Sequence, residues 1–262
     1  MRILKFKTLN GANIYHRRPV MIMTIDLEEN AEVSSGTLPG FKDRLVSWLP
    51  ELKEHRCSPG YPGGFIERLE RGTYFAHMIE HIALSLSTAA GIEVGFGKSI
   101  YAGKPGVYDV IVRFRSEAGM KLLLETAVEL IDACAKELPF NIDERLSAVK
   151  EIVTDEKFGP STQAIVDAAE KRNIPWRRLN DQSLIALGYG SGRKLVQATI
   201  TGDSRHIGVE IAQDKNLSKT LFENAGLPVP SGTVVTTEDD AVEYFHRVRG
   251  KVTVKPIDGN HG

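Results

Sequence analysis

The chain has 262 residues, 42% hydrophobic and 26% charged, with a formal net charge of −1, which suits one large or two modest globular domains. Neither sign dominates, so no global charge argues for a nucleic-acid or anionic-membrane partner. Two cysteines, Cys57 and Cys134, are too few for a disulfide scaffold and fit a reducing cytoplasm, and no run of about 18 apolar residues offers a membrane span.

The opening MRILKFKTLNG alternates like a strand and lacks the apolar stretch and cleavage site of a signal peptide. PVMIMTIDL, 19–27, reads as a second strand of the same sheet, and 38–52 as a short helix. CSPGYPGGF, 57–65, holds three glycines and two prolines and is expected to be a structured loop. A helix follows over 73–90, with Thr73 as its N-cap and Gly91 at its exit. VYDVIVRF, 107–114, reads as a strand. Residues 117–137 form a periodic helix whose apolar stripe includes Met120, Leu123, Ala127, Leu130 and Cys134, so Cys134 reads as core. Another helix covers 141–154. The pattern resets at TDEKFGPSTQ, 154–163, where a helix over 161–172 is expected to start with Ser161 or Thr162 as cap. Beyond it come a strand at 174–179, a hairpin-like stretch to about 201, a helix at 213–225, a strand at 232–236, a helix at 238–248 and a strand at 251–255. Strands and helices alternate loosely, the signature of an α/β or α+β layered fold.

GTYFAHMIEHIALSLS carries His77, Glu80 and His81 in the order H-x-x-E-H. At i and i+4 on a helix the two imidazoles stack one above the other and can hold one zinc ion, and the glutamate between them can act as base toward a water the metal polarises. The apolar stripe Phe75, Ile79, Ile82 and Leu86 packs the helix without them, so the competing reading is a solvated polar face. A zinc site needs a third ligand. Cys57, at the head of the glycine loop, offers a thiolate, and Glu67 and Asp109 are alternatives. A buried thiol is the plainer reading of Cys57 taken alone.

Downstream, a helix bearing Lys215 and Lys219 is followed, some thirty residues later, by VTVKPIDGNHG, which sets Lys255 just before Gly259 and Gly262. Lysines on two elements beside a glycine-rich loop suit a polyphosphate, because glycine lets backbone N–H groups approach phosphate oxygens. Two solvated lysines and an ordinary turn are the alternative. The pattern is not a P-loop, since no G-x-x-x-x-G-K-[ST] is present.

LPVPSGTVV after the lysine-bearing helix, then VTVKPIDGNHG, resembles the entry to an ATP-grasp ligase. GPSTQAIVDAAEKRNIPW, LGYGSGRKLVQATIT and GVEIAQDKNLSKTLF, together with CSPGYPGGFIERLERGT, HMIEHIALSL and GIEVGFGKS, resemble the cyanophycin synthetase family along essentially the whole chain. The resemblance implies an α/β chain: an α+β amino-terminal domain over 1–157, a pre-ATP-grasp segment over 158–213, and the start of an ATP-grasp domain over 214–262. It implies a cytoplasmic, homotetrameric ligase that joins aspartate and arginine into cyanophycin, activating carboxylates with ATP and Mg²⁺, with neither nucleic acid nor membrane as partner. The amino-terminal domain is expected to bind the polymer or primer, and in some members carries a zinc peptidase site. Arg and Lys could pair with the polymer's carboxylates, and Glu67 and Glu70 with its arginines. By the same resemblance Lys215 and Lys255 contact ATP, His77 and His81 hold Zn²⁺ with Cys57, and Glu80 is the catalytic base. The family's Mg²⁺ ligands fall beyond Gly262, so the chain is expected to be a fragment without a complete ligase site.

Overall fold

The computed structural model describes residues 1–57, 59–92 and 94–258. The two strands expected near the amino terminus form as β1 (Arg2–Leu9) and β2 (Val20–Asp26), paired antiparallel. β3 (Gly97–Tyr101) and β4 (Val107–Arg113) complete an antiparallel sheet of order β1-β2-β4-β3. β2 is central and buried on both faces, which is why it reads as a run of apolar residues. Met21, Met23 and Ile25 point to the main core, while Val20 and Ile22 meet Ile111 of β4 on the other side.

Helices cover the first face. They are α1 (Phe41–Trp48), α2 (Gly64–Arg71), α3 (Phe75–Ala89), α4 (Glu117–Ala135) and α5 (Ile142–Asp155). α3 packs on α4 and on β3 and β4, and α4 also reaches β2. The α4 stripe is wholly buried, and Cys134 lies within it as expected, its thiol donating to the Phe41 carbonyl oxygen at 3.4 Å. Ser116 caps α4 by accepting from the Gly119 N–H at 2.8 Å. At the exit of α3, Gly91 takes a φ of +79°, and Ile92 N–H closes on Ser87 O at 2.8 Å, the left-handed termination that glycine permits.

A second antiparallel sheet, β5-β6-β7-β8, is built from β5 (Trp176–Arg178), β6 (Leu184–Leu187), β7 (Lys194–Gln197) and β8 (Ile200–Thr201). α6 (Pro160–Lys171) closes its small core of Val166, Ile185 and Val196. Gly159, not Ser161 or Thr162, holds the cap position of α6, because Pro160 starts the helix where no N–H is needed. Three helices follow: α7 (His206–Gln213), α8 (Lys215–Asn224) and α9 (Glu238–Val248). The expected strands at 232–236 and 251–255 are not strands. These segments are exposed and have no ladder partner among the described residues, and β-branched residues alone do not make a strand. No helix among the described residues is long and apolar enough to cross a membrane.

Candidate metal centre

The site begins with a clamp at the entrance to α3. The Ser35 N–H donates to Thr73 O at 2.8 Å, the Thr73 N–H donates to Ser35 Oγ at 2.9 Å, and Ser35 Oγ–H donates to Leu69 O at 2.9 Å. Thr73 is therefore held from outside the helix. Tyr74 occupies the cap position and no side chain caps it; the Thr73 hydroxyl instead meets His77 Nδ1 at 2.8 Å. That contact turns His77 Nε2 toward Cys57, whose Sγ lies 3.4 Å away.

Cys57 is delivered by the glycine loop. Gly60, with φ of +81°, folds its N–H back to Cys57 O at 2.8 Å, a tight turn that a side chain would strain. The loop then enters α2, and the Phe65 N–H reaches His55 O at 3.4 Å. Phe65 stacks on the His81 ring at 4.3 Å between centroids and presents its edge to His77 and His55. His55 Nδ1 in turn lies 3.2 Å from His81 Nδ1.

Ligand atoms of Cys57, His77 and His81 all fall within 4.8 Å of one another. A tetrahedral zinc with Zn–S near 2.3 Å and Zn–N near 2.0–2.1 Å sets its ligand atoms about 3.3–3.6 Å apart, and the Cys57–His77 separation of 3.4 Å is already of that size. The donor set, one thiolate and two imidazoles, is a zinc set with a position left for a fourth ligand. The other two candidates for the third ligand are engaged elsewhere. Glu67 accepts from Tyr61 and Arg71 on the exposed face of α2, and Asp109 accepts from Thr24 Oγ1 at 2.6 Å.

The solvated-face reading of α3 fails. Glu80 and His81 are 7% and 6% exposed, because β3 and the loop over 55–65 cover the side that the apolar stripe leaves open. Burial, followed by the His77 and His55 charges, drives the His81 pKa down to about 3, and burial lowers His77 and His55. Neutral imidazoles are the metal-binding form. Glu80 sits against Gly97, where even a methyl group would lie 2.7 Å from Glu80 Cγ. Burial pushes its carboxyl up to about 7, while hydrogen bonds from the Ser99 hydroxyl and amide pull it down. His55 and Ser99 carry no sequence signal of their own, and Thr73 carried only that of a helix cap. They meet the motif only through folding.

The lysines of the carboxyl-terminal third share one cavity of about 510 Å³, lined by Lys215, Lys219, Lys251 and Lys255. Lys215 Nζ donates to Pro256 O at 3.0 Å, which holds the start of α8 against the segment after Lys255. Gly259 and Gly262, expected to approach phosphate, lie outside the described residues.

Comparison with known proteins agrees with the family resemblance. Residues 22–136 match the family described as the cyanophycin synthase-like N-terminal domain. The whole chain aligns with cyanophycin synthetases: 41% identity over 268 residues with that of Trichormus variabilis, 40% with Geminocystis herdmanii and 39% with Synechocystis sp.. It covers 100% of this chain but only 30–31% of the length of those relatives. Residues 22–136 are thus similar to the cyanophycin synthase-like N-terminal domain family, in a chain similar along its full length to cyanophycin synthetases.

Proposed function

We propose that the amino-terminal part of this chain is a zinc-dependent hydrolase that cuts amide bonds in the backbone of cyanophycin, a polymer of aspartate and arginine. The observation that carries the reading is the convergence of Cys57, His77 and His81 within 4.8 Å, with Thr73 and His55 behind the two imidazoles. Zinc held there would supply Lewis acidity toward a water or a carbonyl oxygen. Glu80 is the base: it takes a proton from the attacking water as the water oxygen bonds to the amide carbon, and returns it to the leaving nitrogen as the C–N bond breaks. A carboxyl pushed up to about 7 is matched to both halves of that exchange near neutral pH. Phe65 keeps the imidazoles packed in place.

The test is metal analysis with cleavage of purified cyanophycin. Wild-type chain is expected to hold one zinc and shorten the polymer, Glu80→Gln to hold zinc and lose cleavage, and Cys57→Ser to lose both. Cleavage by Glu80→Gln at the wild-type rate would remove Glu80 as base, and a chain purified without zinc that still cleaves would remove the metal.

A second reading concerns the longer protein. The names of the relatives support an amino-acid ligase, and the shared cavity of Lys215 and Lys255 supports ATP as its phosphate donor, with Mg²⁺ as partner ion. Under this reading the chain works in the cytoplasm beside the polymer it helps to extend, within a homotetramer. Replacing Lys215 and Lys255 with Met should abolish ATP binding in the longest available form of the protein. Unchanged nucleotide affinity would reject the assignment.

A further inference from the structure

A cleft of about 540 Å³ lies between the carboxyl end of β4 and the β5 strand, a size that suits an amino acid or short peptide. Arg113 and Arg18 form its sheet-side wall, and Phe158 and Trp176 belong to the opposite side. Arg18 sits at the end of a tied loop: Asn13 Nδ2 donates to Arg18 O at 3.2 Å, and Asn13 Oδ1 accepts from the Tyr15 and His16 amides. The Arg113 backbone is fixed as well, its N–H donating to Phe96 O at 2.9 Å. The two guanidinium stems thus start from rigid backbone.

Among the described residues neither Arg113 nor Arg18 is in an ion pair, and Arg113 Nε is buried without an acceptor. Glu170, whose charge acts on Arg113, makes its direct contacts elsewhere, with Oε1 accepting from Trp176 Nε1 at 3.1 Å and Oε2 pairing with Arg115 at 3.5 Å. Burial, then the like charges of Arg115 and Arg18, holds the Arg113 pKa down against the smaller opposing pull of Glu170. A half-buried cation flanked by like charges gains from an anion brought to its open side. Guanidinium forks match a planar carboxylate bidentately. As many carboxylates as guanidiniums line the cleft, so its charge sum draws no polyanion, and selection rests on the match of one carboxylate to the Arg113 and Arg18 forks.

We propose that this cleft is a binding site for a small monocarboxylate ligand, of amino-acid or peptide type, held by Arg113 and Arg18 and roofed by Trp176. It is separate from the metal centre, and its failure would leave the hydrolase reading untouched.

Trp176 supplies the readout. The chain has two tryptophans, so Trp48→Phe leaves Trp176 as the only emitter. N-acetylglycine is titrated into this variant, with N-acetylglycinamide and inorganic phosphate as parallel probes. The expected result is a saturable change in emission with N-acetylglycine, none with the amide and a weaker one with phosphate. Arg113→Met in the same background should weaken the carboxylate response about tenfold or more, while Lys136→Met, just past the end of α4, leaves it unchanged. Circular dichroism checks the fold; should Arg113→Met fail to fold, Arg18→Met carries the same expectation. No saturable response to N-acetylglycine, an equal response in the folded arginine variants, or phosphate or amide binding as well as carboxylate would each overturn the proposal.

Discussion

Thr73 serves the metal centre through its hydroxyl and the fold through its backbone. Its N–H and C=O are both bonded to Ser35, so the hydroxyl is available to His77 Nδ1 at 2.8 Å. Groups behind a metal ligand fix its tautomer and ring orientation, and their loss typically costs 10- to 100-fold in metal affinity. Thr73→Val keeps the shape and both backbone bonds and removes only the hydroxyl. Zinc affinity, measured by competition with a chromogenic chelator, should fall by about 10- to 100-fold, with the melting temperature of the metal-free protein little changed. Unaltered affinity would mean that the hydroxyl does not orient the ring. The three donor residues of the candidate site were legible in the sequence, since helical spacing sets His77 over His81 and the glycine loop marks Cys57 as rigidly held. Thr73 read as a helix cap because residue type alone cannot tell a cap from a partner of the side chain four residues on. His55 was silent: 26 residues separate it from His81, and the Phe65 amide and the ring packing bring them together.

At the scale of elements, the site depends on how α3 meets β3. Gly97 opens β3 and lets Glu80 lie flat against the strand, at the cost of removing the carboxyl from water. In the metal-free protein this has a pH signature. The carboxyl's ordinary pKa of 4.5 is raised to about 7 on folding, so between those values the folded chain holds a proton that the unfolded chain has lost. Its favourable contribution is complete below about 4.5 and disappears as pH rises through about 7. The lowered His55, His77 and His81 act in the opposite sense, contributing above their ordinary 6.5 and losing it as pH falls. Comparison with Glu80→Gln removes that background, because both chains share the histidines. Urea unfolding in chelator at pH 5, 6, 7 and 8 should show the wild type losing stability relative to the variant as pH rises, and a constant difference would reject the burial of Glu80. The long elements were readable from their periodicity, as in α4 and α5. β3 was not: GKSIY is five residues with an exposed edge and a leading glycine. α2 was hidden for a related reason, since Gly63 and Gly64 look like loop although the helix starts on the second of them. Without β3 and the loop over 55–65, the burial of the polar side of α3 was not visible, so a solvated face stood as the rival to the zinc reading.

For the whole molecule, buried side chains are distributed very unevenly, and this predicts how the chain opens. The main core gathers strands and helices from Met21 to Val149, whereas the second sheet rests on Val166, Ile185 and Val196. From residue 197 to 258 no residue is buried. α9 has a full capping box between Thr237 and Asp240, a local contribution of about 1 kcal/mol. That is too little to hold an 11-residue helix by itself, since isolated helices of such length are marginal in water. Its apolar residues Val242 and Phe245 are nearly half exposed, as are Leu221 and Phe222 of α8. Amides in β2, β4, α3 and α4 should therefore exchange with solvent only through global unfolding, and those of α7, α8 and α9 through local opening, with protection lower by orders of magnitude. Hydrogen exchange read by mass spectrometry on this chain tests the contrast directly. Adding zinc should slow exchange in α3 and over 55–65, where the ligands lie, and leave α9 unchanged, because a ligand stabilises only the states that bind it. Equal protection in α9 and α4 before zinc is added would show that the carboxyl-terminal helices have a packing partner, and this account of the molecule's stability would then be wrong.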